Sequence, residues 1–289
     1  MEADSNRALA RSYNPGRAIC LCEPGLSDDR PVGLFDSGVG GLTILREVRG
    51  LLPGEQCLYF ADSRECPYGT KPVPIIQRRC EAVVDFLLDH NAKAIVVACN
   101  TASVAALAHL RARYRVPFVG IVPGVKPAAG LTRVGRIGVL ATPTTAESEP
   151  LAQLIQQFAY GVTVMTQVCP DLVSLVEKGT IEGPEVEWLL ERYLGALLDS
   201  GVDVIVLGCT HYPFLKPQIQ RLCGPGVTLV DPADAVAAQL GRVLAKEDLA
   251  SSGSLGSTRY YTSGGVREMK HALRQLLGDT DGPIEQAPI

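Results

Sequence analysis

The chain has 289 residues, 46% of them hydrophobic and 20% charged, a composition typical of a folded globular protein rather than a disordered or collagen-like one. Its 27 Lys and Arg against 31 Asp and Glu give a net charge of −4, so it lacks the positive charge needed to bind a nucleic acid backbone. No apolar run is long enough for a membrane span or a secretory signal. We expect a soluble cytoplasmic protein that binds neither nucleic acid nor membrane.

The nine cysteines do not form the pattern of a disulfide framework or of a metal site. Small secreted scaffolds carry dense, even sets of cysteines, whereas this number is odd and the chain is long. There is no C-x-x-C pair, and Cys20 and Cys22 are followed by no second close pair. We therefore expect reduced thiols and no metal site, and any functional thiol must be identified from its local context.

Residues 1–31 are polar and interrupted by Pro and Gly, which predicts an N-terminal extension outside the core. From Val32 onward, short apolar runs alternate with longer amphipathic stretches, as in βα units around a largely parallel sheet. Strands are predicted at 32–36, 57–61, 94–98, 117–121, 136–141, 162–167, 203–207 and 227–230. Helices are predicted at 41–50, 74–90, 102–113, 145–159, 184–199 and 233–246.

The first four predicted strands resemble the last four, which indicates an internal duplication. The strand that begins at Gly33 aligns with the one at Gly138, and Cys99 aligns with Cys209 at nearly the same spacing. We predict an α/β protein with two pseudo-symmetric, doubly wound domains whose largely parallel sheets face each other across a cleft. The alternative is a chance likeness between βα units, and the paired cysteines argue against it.

Four polar loops follow predicted strands, at the carboxyl ends where open α/β sheets bind their ligands. They are 36–41, 99–101, 141–145 and 209–213. Each loop opens a predicted helix and carries no Lys or Arg, a setting that favours a bound carboxylate. The glycine-rich loop matches no nucleotide-binding motif, and Asp36 would repel a phosphate. We interpret its glycines as a tight turn with close packing of helix on strand.

Cys99 and Cys209 occupy matching positions in the two halves, each after a strand and before a threonine. We expect the helix dipole to lower the pKa of both thiols. Two such thiols could remove a proton from one face of a carbon atom and deliver one to the other, with Asp36 and His211 as auxiliary groups. The alternatives are ordinary core cysteines, a redox disulfide, and an N-cap role for Asp36. The remaining cysteines, Cys66 included, are interpreted as structural.

The motifs around these residues resemble those of the glutamate racemases. They are Phe35–Gly41, Pro67–Gly69, Ala98–Ala102 and Gly208–Pro213, in that family's order and spacing over about residues 32–276. The resemblance implies an isomerase that converts L-glutamate to D-glutamate for peptidoglycan precursor synthesis. It also implies that the reaction uses neither pyridoxal phosphate nor a metal, so no cofactor is expected.

The resemblance implies roles for individual residues. Cys99 would take the α-proton of D-glutamate and Cys209 that of L-glutamate, with Asp36 assisting the first thiol and His211 the second. Glu177 matches a further catalytic acid of the cleft. Asp62 is also placed like an acid of the family. The positions that would hold the ammonium and carboxylate groups of the substrate are Asp36, Ser37, Pro67, Tyr68, Gly69, Asn100, Thr101, Thr142, Thr145, Thr210 and His211.

The family's architecture predicts that the chain crosses between the halves twice. The first domain would comprise residues 32–122 plus 234–277 and the second 123–233, with 278–289 as a polar C-terminal tail. Within the first domain, Tyr260–Thr262 would add a strand to an edge of the sheet. The resemblance leaves open a homodimer and activation by UDP-N-acetylmuramoyl-L-alanine, to which some members with N-terminal extensions respond.

Two other functions fit parts of the pattern. A racemase or isomerase for aspartate, hydantoins or maleate would share the two thiols, although aspartate racemases commonly have an acid at the position of His211. A non-catalytic carboxylate-binding module would need the anion-holding loops but not the paired thiols. A test for racemisation of glutamate without added cofactor would distinguish among them.

Overall fold

The computed structural model describes residues 27–278 and 282–289, so most of the predicted N-terminal extension lies outside the described residues. The strands are β1 (Val32–Asp36), β2 (Cys57–Ala61), β3 (Ala94–Val97), β4 (Phe118–Gly120), β5 (Arg136–Ala141), β6 (Thr163–Val168), β7 (Val204–Leu207), β8 (Thr228–Val230), β9 (Thr258–Thr262) and β10 (Ile284–Gln286). The α-helices are α1 (Leu42–Leu51), α2 (Val73–Asp89), α3 (Asn100–Arg113), α4 (Val125–Leu131), α5 (Pro143–Ala146), α6 (Glu149–Phe158), α7 (Asp171–Glu177), α8 (Pro184–Asp199), α9 (Lys216–Cys223), α10 (Ala233–Lys246) and α11 (Val266–Leu277). No helix in these ranges is long and apolar enough to cross a membrane.

The strands form two parallel sheets with the same internal order. The first sheet has the order β10-β9-β2-β1-β3-β4 and the second the order β6-β5-β7-β8. The run β2-β1-β3-β4 recurs as β6-β5-β7-β8, so the first four strands correspond one by one to the next four. Every pairing in both sheets is parallel. These findings confirm the predicted α/β class with two parallel sheets.

The central strands are apolar at nearly every position because helices cover both faces of each sheet. All five residues of β1 are buried. Leu34 packs in the cluster that contains Leu45 of α1 and Leu240 of α10, whereas its neighbour Phe35 packs in the cluster that contains Val84 of α2. Burying one such side chain contributes about 1.5–3 kcal/mol to the free energy of unfolding. The side chains of β1 therefore pack against helices on both faces of the sheet, and the strand ends in the polar residue Asp36.

The predicted helix at 145–159 is wrong, since the structure has two helices there. Ser148 accepts a hydrogen bond from the Leu151 N–H at 3.3 Å and thereby caps a new helix, α6. Pro150 lies in the first turn of α6. The N–H groups of a first turn have no partner within the helix, so a proline there costs no helical hydrogen bond. The helices α4, α7 and α9 were not predicted, because seven or eight residues are too few to establish a helical period.

The segment 278–289 is not only a polar tail. Its residues Ile284–Gln286 form β10, which pairs in parallel with β9 and becomes the edge strand of the first sheet. The N–H of Ala287, which is buried, donates to the carbonyl of Thr262 at 2.8 Å. A three-residue strand with Glu and Gln carries no alternating apolar pattern, so the sequence offered no signal for it. The boundaries of the two predicted domains stay a prediction.

Candidate active site

The candidate site lies where central strands of both sheets end. In the first sheet Asp36 ends β1 and Cys99 follows the neighbouring strand β3. In the second sheet Thr142 follows β5 and Cys209 lies two residues beyond β7, the strands that correspond to β1 and β3. These neighbours are the topological switch points of the two sheets, where the connections leave toward opposite faces and open a crevice. The order of the strands therefore brings the two thiols to equivalent positions.

Asp36 is buried, and its carboxylate contacts both halves of the molecule. Its Oδ1 accepts the N–H of Ser37 at 2.7 Å, and its Oδ2 accepts the N–H of Gly41 at 2.6 Å. The Thr210 hydroxyl from the second half donates to the same Oδ2 at 3.2 Å. Burial raises the pKa of Asp36, while the positive charge of His211 opposes that change. The N-cap of α1 is Gly41 and not Asp36, so the N-cap alternative is wrong; Asp36 instead binds the N–H of that N-cap residue and the hydroxyl of the opposing thiol loop.

Two glycines of the loop leave room for side chains from the second half. A Cβ at Gly38 would lie 1.9 Å from the Glu177 Oε1, and a Cβ at Gly40 would lie 2.4 Å from the His211 Nδ1. Glu177 itself accepts the N–H of Val39 at 2.7 Å. Close packing of helix on strand, the predicted reason for the glycines, applies at Gly41. At Gly38 and Gly40 the absence of a side chain lets the two halves meet.

Cys99 is the N-cap residue of α3, but its pKa does not follow the expectation for that position. Its Sγ accepts the N–H of Ala102 at 3.5 Å and lies 3.8 Å from the Ser37 Oγ. Burial raises the pKa of Cys99 well above its ordinary value, and the negative charge of Asp36 raises it further. The N–H of Ala102 lowers it too weakly to compensate. The predicted lowering is wrong for Cys99, which is a neutral thiol in this environment.

Cys209 has different neighbours from Cys99. It is followed by a short 3₁₀ helix, Tyr212–Leu215, rather than directly by an α-helix. Its Sγ lies 3.7 Å from the His211 Nδ1, and the other ring nitrogen, Nε2, lies 2.5 Å from the Glu177 Oε1. Burial lowers the pKa of His211, but hydrogen bonds with Cys209, Cys66 and Glu177 raise it well above its ordinary value. A protonated His211 stabilises negative charge on the Cys209 sulfur.

Cys66 belongs to this group, although its sequence context predicts a structural cysteine. Ligating atoms of Cys66, Glu177 and His211 all lie within 4.8 Å of one another. Burial raises the pKa of the Cys66 thiol to about 12. The only sequence feature that could have drawn attention to this cysteine is its position directly before Pro67. In the structure the peptide bond between the two residues is cis.

The segment around Pro67 and Gly69 contacts the second half at the other side of the site. A Cβ at Gly69 would lie 2.7 Å from the Thr142 Cβ, and the Thr144 hydroxyl donates to the Gly69 carbonyl at 2.9 Å. Thr101 and Thr142, one from each half, share a hydrogen bond at 2.9 Å. Thr142 also donates to Thr145 at 3.0 Å. Uncharged hydroxyls therefore line the boundary between the halves.

Asn100 is the residue of the site whose polar atoms are left unmatched. Its side chain is 1% exposed, and neither its Oδ1 nor its Nδ2 has a hydrogen-bond partner within the described ranges. A buried amide without partners is costly, so such a group in a native fold calls for an explanation. A small ligand that carries both acceptors and donors would satisfy it. The contacts join three groups of the predicted site residues: Asp36, Ser37, Cys99 and Thr210; Cys209, His211 and Glu177; and Thr101, Thr142 and Thr145. The roles of these residues stay a prediction.

Asp62 takes a supporting role rather than facing the two thiols. Its carboxylate accepts hydrogen bonds from the Tyr68 hydroxyl at 2.5 Å, from Arg79 at 2.7 and 3.0 Å, and from Ser263 at 2.6 Å. Asp62 is fully buried, and the Arg79 side chain is 18% exposed. The carboxylate therefore orients Tyr68 and is itself neutralised by Arg79.

Replacing Asp62 with alanine should lower the free energy of unfolding by about 3–5 kcal/mol, because Arg79 and the Tyr68 hydroxyl lose their buried acceptor. Urea unfolding followed by circular dichroism measures the change. The matched control is Asp89→Ala at the exposed end of α2, for which we expect a change within about 0.5 kcal/mol. Equal effects of the two substitutions would contradict the role given to Asp62.

Comparison with known proteins places this geometry in context. The family model described as Asp/Glu/Hydantoin racemase matches residues 42–240. The glutamate racemase of Pseudomonas paraeruginosa is 49% identical over 256 residues, which cover 88% of this chain and 97% of that protein. The glutamate racemase of Roseiflexus sp. is 50% identical over 263 residues, which cover 90% and 96%.

Solved structures give the same result. A glutamate racemase isoform of Bacillus anthracis superposes with a TM-score of 0.83 at 32% identity, covering 90% of this chain and 99% of that one. The Escherichia coli glutamate racemase, solved with L-glutamate and the activator UDP-MurNAc-Ala, superposes with a TM-score of 0.79 at 33% identity and covers 89% and 98%. An aspartate racemase from Picrophilus torridus, at 15% identity and a TM-score of 0.52, shares the fold alone.

Proposed function

The chain belongs to the Asp/Glu/Hydantoin racemase family, and on that premise we propose that it interconverts L- and D-glutamate without a cofactor. The D-glutamate would enter peptidoglycan precursor synthesis. One observation carries the proposal: Cys99 and Cys209 lie at equivalent strand ends of two corresponding sheets, with different partners.

In the direction from L- to D-glutamate, Cys209 would act as the base and Cys99 as the acid. Burial keeps Cys99 in its neutral form, and a protonated His211 beside the Cys209 sulfur can stabilise the negative charge that Cys209 needs to act as a base. The Cys209 thiolate takes the α-proton of L-glutamate, and the electron pair of the broken C–H bond delocalises into the α-carboxylate. Cys99 then gives its thiol proton to the opposite face of Cα. The product is D-glutamate, with one thiol and one thiolate exchanged.

Neutral groups of both halves would hold the substrate. The unmatched amide of Asn100 and the hydroxyls of Ser37, Thr101 and Thr210 can bind carboxylate oxygens without a Lys or Arg. Asp36 and Glu177 would balance the ammonium group. The structures solved with L-glutamate from E. coli and with D-glutamate from Francisella tularensis support a glutamate site in proteins of this fold.

The test is optical. Purified protein incubated with L- or D-glutamate and no added cofactor should bring the circular dichroism signal of the amino acid to zero from either side. A carboxylate-binding module would leave both signals unchanged, which would overturn the proposal.

Glutamate should be strongly preferred over aspartate. Aspartate lacks one methylene group, so its second carboxylate cannot reach the same donors, and we expect kcat/KM to be lower by ~10²-fold. Rates for both amino acids under identical conditions give the ratio. Comparable values would instead support the aspartate racemase alternative.

Regulation and assembly stay predictions. An activator of the UDP-MurNAc-Ala type is present in the E. coli relative's structure, and adding that compound to the racemisation assay tests whether this protein responds. The oligomeric state, predicted as a possible homodimer, can be measured by sedimentation.

A further inference from the structure

Three side chains of the kinds that ligate zinc lie close together beside the two thiols. They are Cys66, Glu177 and His211, whose ligating atoms all lie within 4.8 Å of one another. They come from three separate segments: the loop after β2, the end of α7 and the loop after β7. The sequence predicts no metal site, because such sites are recognised by closely spaced pairs of ligands and these three residues contain none.

The two nitrogens of His211 face different partners, so a metal bound at Nε2 would leave Nδ1 facing Cys209. Nδ1 lies 3.7 Å from the Cys209 Sγ, whereas Nε2 lies 2.5 Å from the Glu177 Oε1. Zinc holds sulfur, nitrogen and oxygen ligands at about 2.0–2.3 Å in a tetrahedron, so its ligand atoms stand about 3.3–3.7 Å apart. The pair distances in the cluster, from 2.5 Å between Nε2 and Oε1 to at most 4.8 Å, bracket that spacing.

We propose that a borderline divalent cation, Zn²⁺ in the first place, binds reversibly to the Cys66 Sγ, the Glu177 carboxylate and the His211 Nε2. A sulfur–nitrogen–oxygen ligand set selects zinc over magnesium or calcium, which prefer oxygen alone. On binding, the ion replaces the proton of the Cys66 thiol and the proton on Nε2, and both are released to solvent.

The surroundings suit a cation and give it access. Cys66 and Glu177 are half-buried rather than sealed, while His211 is buried behind them. Glu177 and Asp36 add negative charge to the surroundings of Cys66. Within the described residues, Glu177 forms its ion pair with His211. The Glu177 carboxylate therefore has no Lys or Arg partner there that would compete with a metal ion.

Binding of zinc would inhibit the enzyme. With the metal on Nε2, His211 loses Glu177 and can no longer gain or lose a proton at that nitrogen, so Cys209 loses its assisting group. This consequence rests on the proposed function, but the metal site itself does not. Its test therefore uses a readout that needs no racemisation.

Titration of the full chain with Co²⁺, a spectroscopic substitute for Zn²⁺, tests the site under anaerobic, chelator-free conditions. We expect one equivalent of Co²⁺ to produce thiolate-to-cobalt charge-transfer absorption, and one equivalent of Zn²⁺ to abolish it. Cys66→Ser should lose the absorption and bind the ion at least ~10-fold more weakly. The matched control is Cys223→Ser, a half-buried thiol at the end of α9, which should behave like the unmodified chain.

A second measurement uses the unmodified chain, so it does not depend on the folding of a variant. Zn²⁺ should slow the alkylation of Cys66 relative to Cys223, measured by mass spectrometry of peptides. Unchanged alkylation of Cys66, or charge-transfer absorption that persists in Cys66→Ser, would overturn the proposal. If racemisation is absent but Cys66-dependent cobalt binding is present, the proposed function fails and the metal site stands.

Discussion

Replacing either Cys99 or Cys209 with alanine should reduce the racemisation of glutamate by ~10²–10⁴-fold in both directions, because each removes the proton donor or acceptor on one face of Cα. The losses must be equal for kcat/KM of the two enantiomers, since the equilibrium constant between them is unity. Cys57→Ala, which truncates a buried thiol at the start of β2, the end of the strand opposite the site, is the control for the chemistry. Near-normal turnover by either site variant would rule out the two-thiol mechanism.

Exchange of the α-hydrogen in deuterated water distinguishes the two thiols. In Cys209→Ser, the thiolate form of Cys99, although burial disfavours it, can still abstract the proton of D-glutamate, but the weakly acidic serine reprotonates the other face poorly. D-glutamate should therefore exchange faster than it racemises, and L-glutamate should do so in Cys99→Ser. Proton NMR and optical rotation followed together give the two rates. Equal exchange of both enantiomers in both variants would indicate a single base that serves both faces.

Replacing His211 with asparagine should lower kcat by ~10²-fold, because the Cys209 sulfur loses the cation that stabilises its negative charge. The ring is buried and faces Cys209 with Nδ1 and Glu177 with Nε2. Asparagine keeps some polarity but cannot carry a proton. The exchange of L-glutamate, which depends on Cys209 as a base, should be affected more than that of D-glutamate. An equal effect on both exchange rates would contradict the pairing of His211 with Cys209.

The ionisation of His211 should set the alkaline limb of the kcat/KM profile. Hydrogen bonds with Cys209, Cys66 and Glu177 raise the pKa of His211, so the protonated form persists through neutral pH and is lost only at higher pH. Glu177→Gln removes one of these contributions and should move the alkaline limb of the kcat/KM profile to lower pH. An alkaline limb that stays in place would show that a different group titrates there.

Much of the site could be predicted from residues that follow strands. Asp36, Cys99, Thr142 and Cys209 each lie just beyond an apolar run, and a parallel sheet gathers such positions at one edge. That inference needs only local patterns and the correspondence between the halves. The order of the strands then agreed with it, because the same arrangement occurs in both sheets.

The parts that could not be predicted depend on contacts between distant segments. Ser263 reaches the Asp62 carboxylate across 201 positions, and Val39 reaches Glu177 across 138. Neither contact has a period or a motif that a sequence displays. Cys66 was missed for the same reason. The pKa of Cys99 was expected in the wrong direction because a helix terminus is visible in a sequence, whereas burial is not.

The space left by Gly38 and Gly40 limits how this protein can be recombined with its relatives. The two loop positions are shaped by Glu177 and His211, which lie far along the chain in the other half. A chimaera that takes residues 32–122 from one parent and 123–233 from another inherits the glycines and the side chains opposite them from different sources. Only parents that agree at these four positions should give a closed, working hybrid. In such recombination experiments, Gly38 and Gly40 must therefore be kept together with Glu177 and His211, the side chains that they contact.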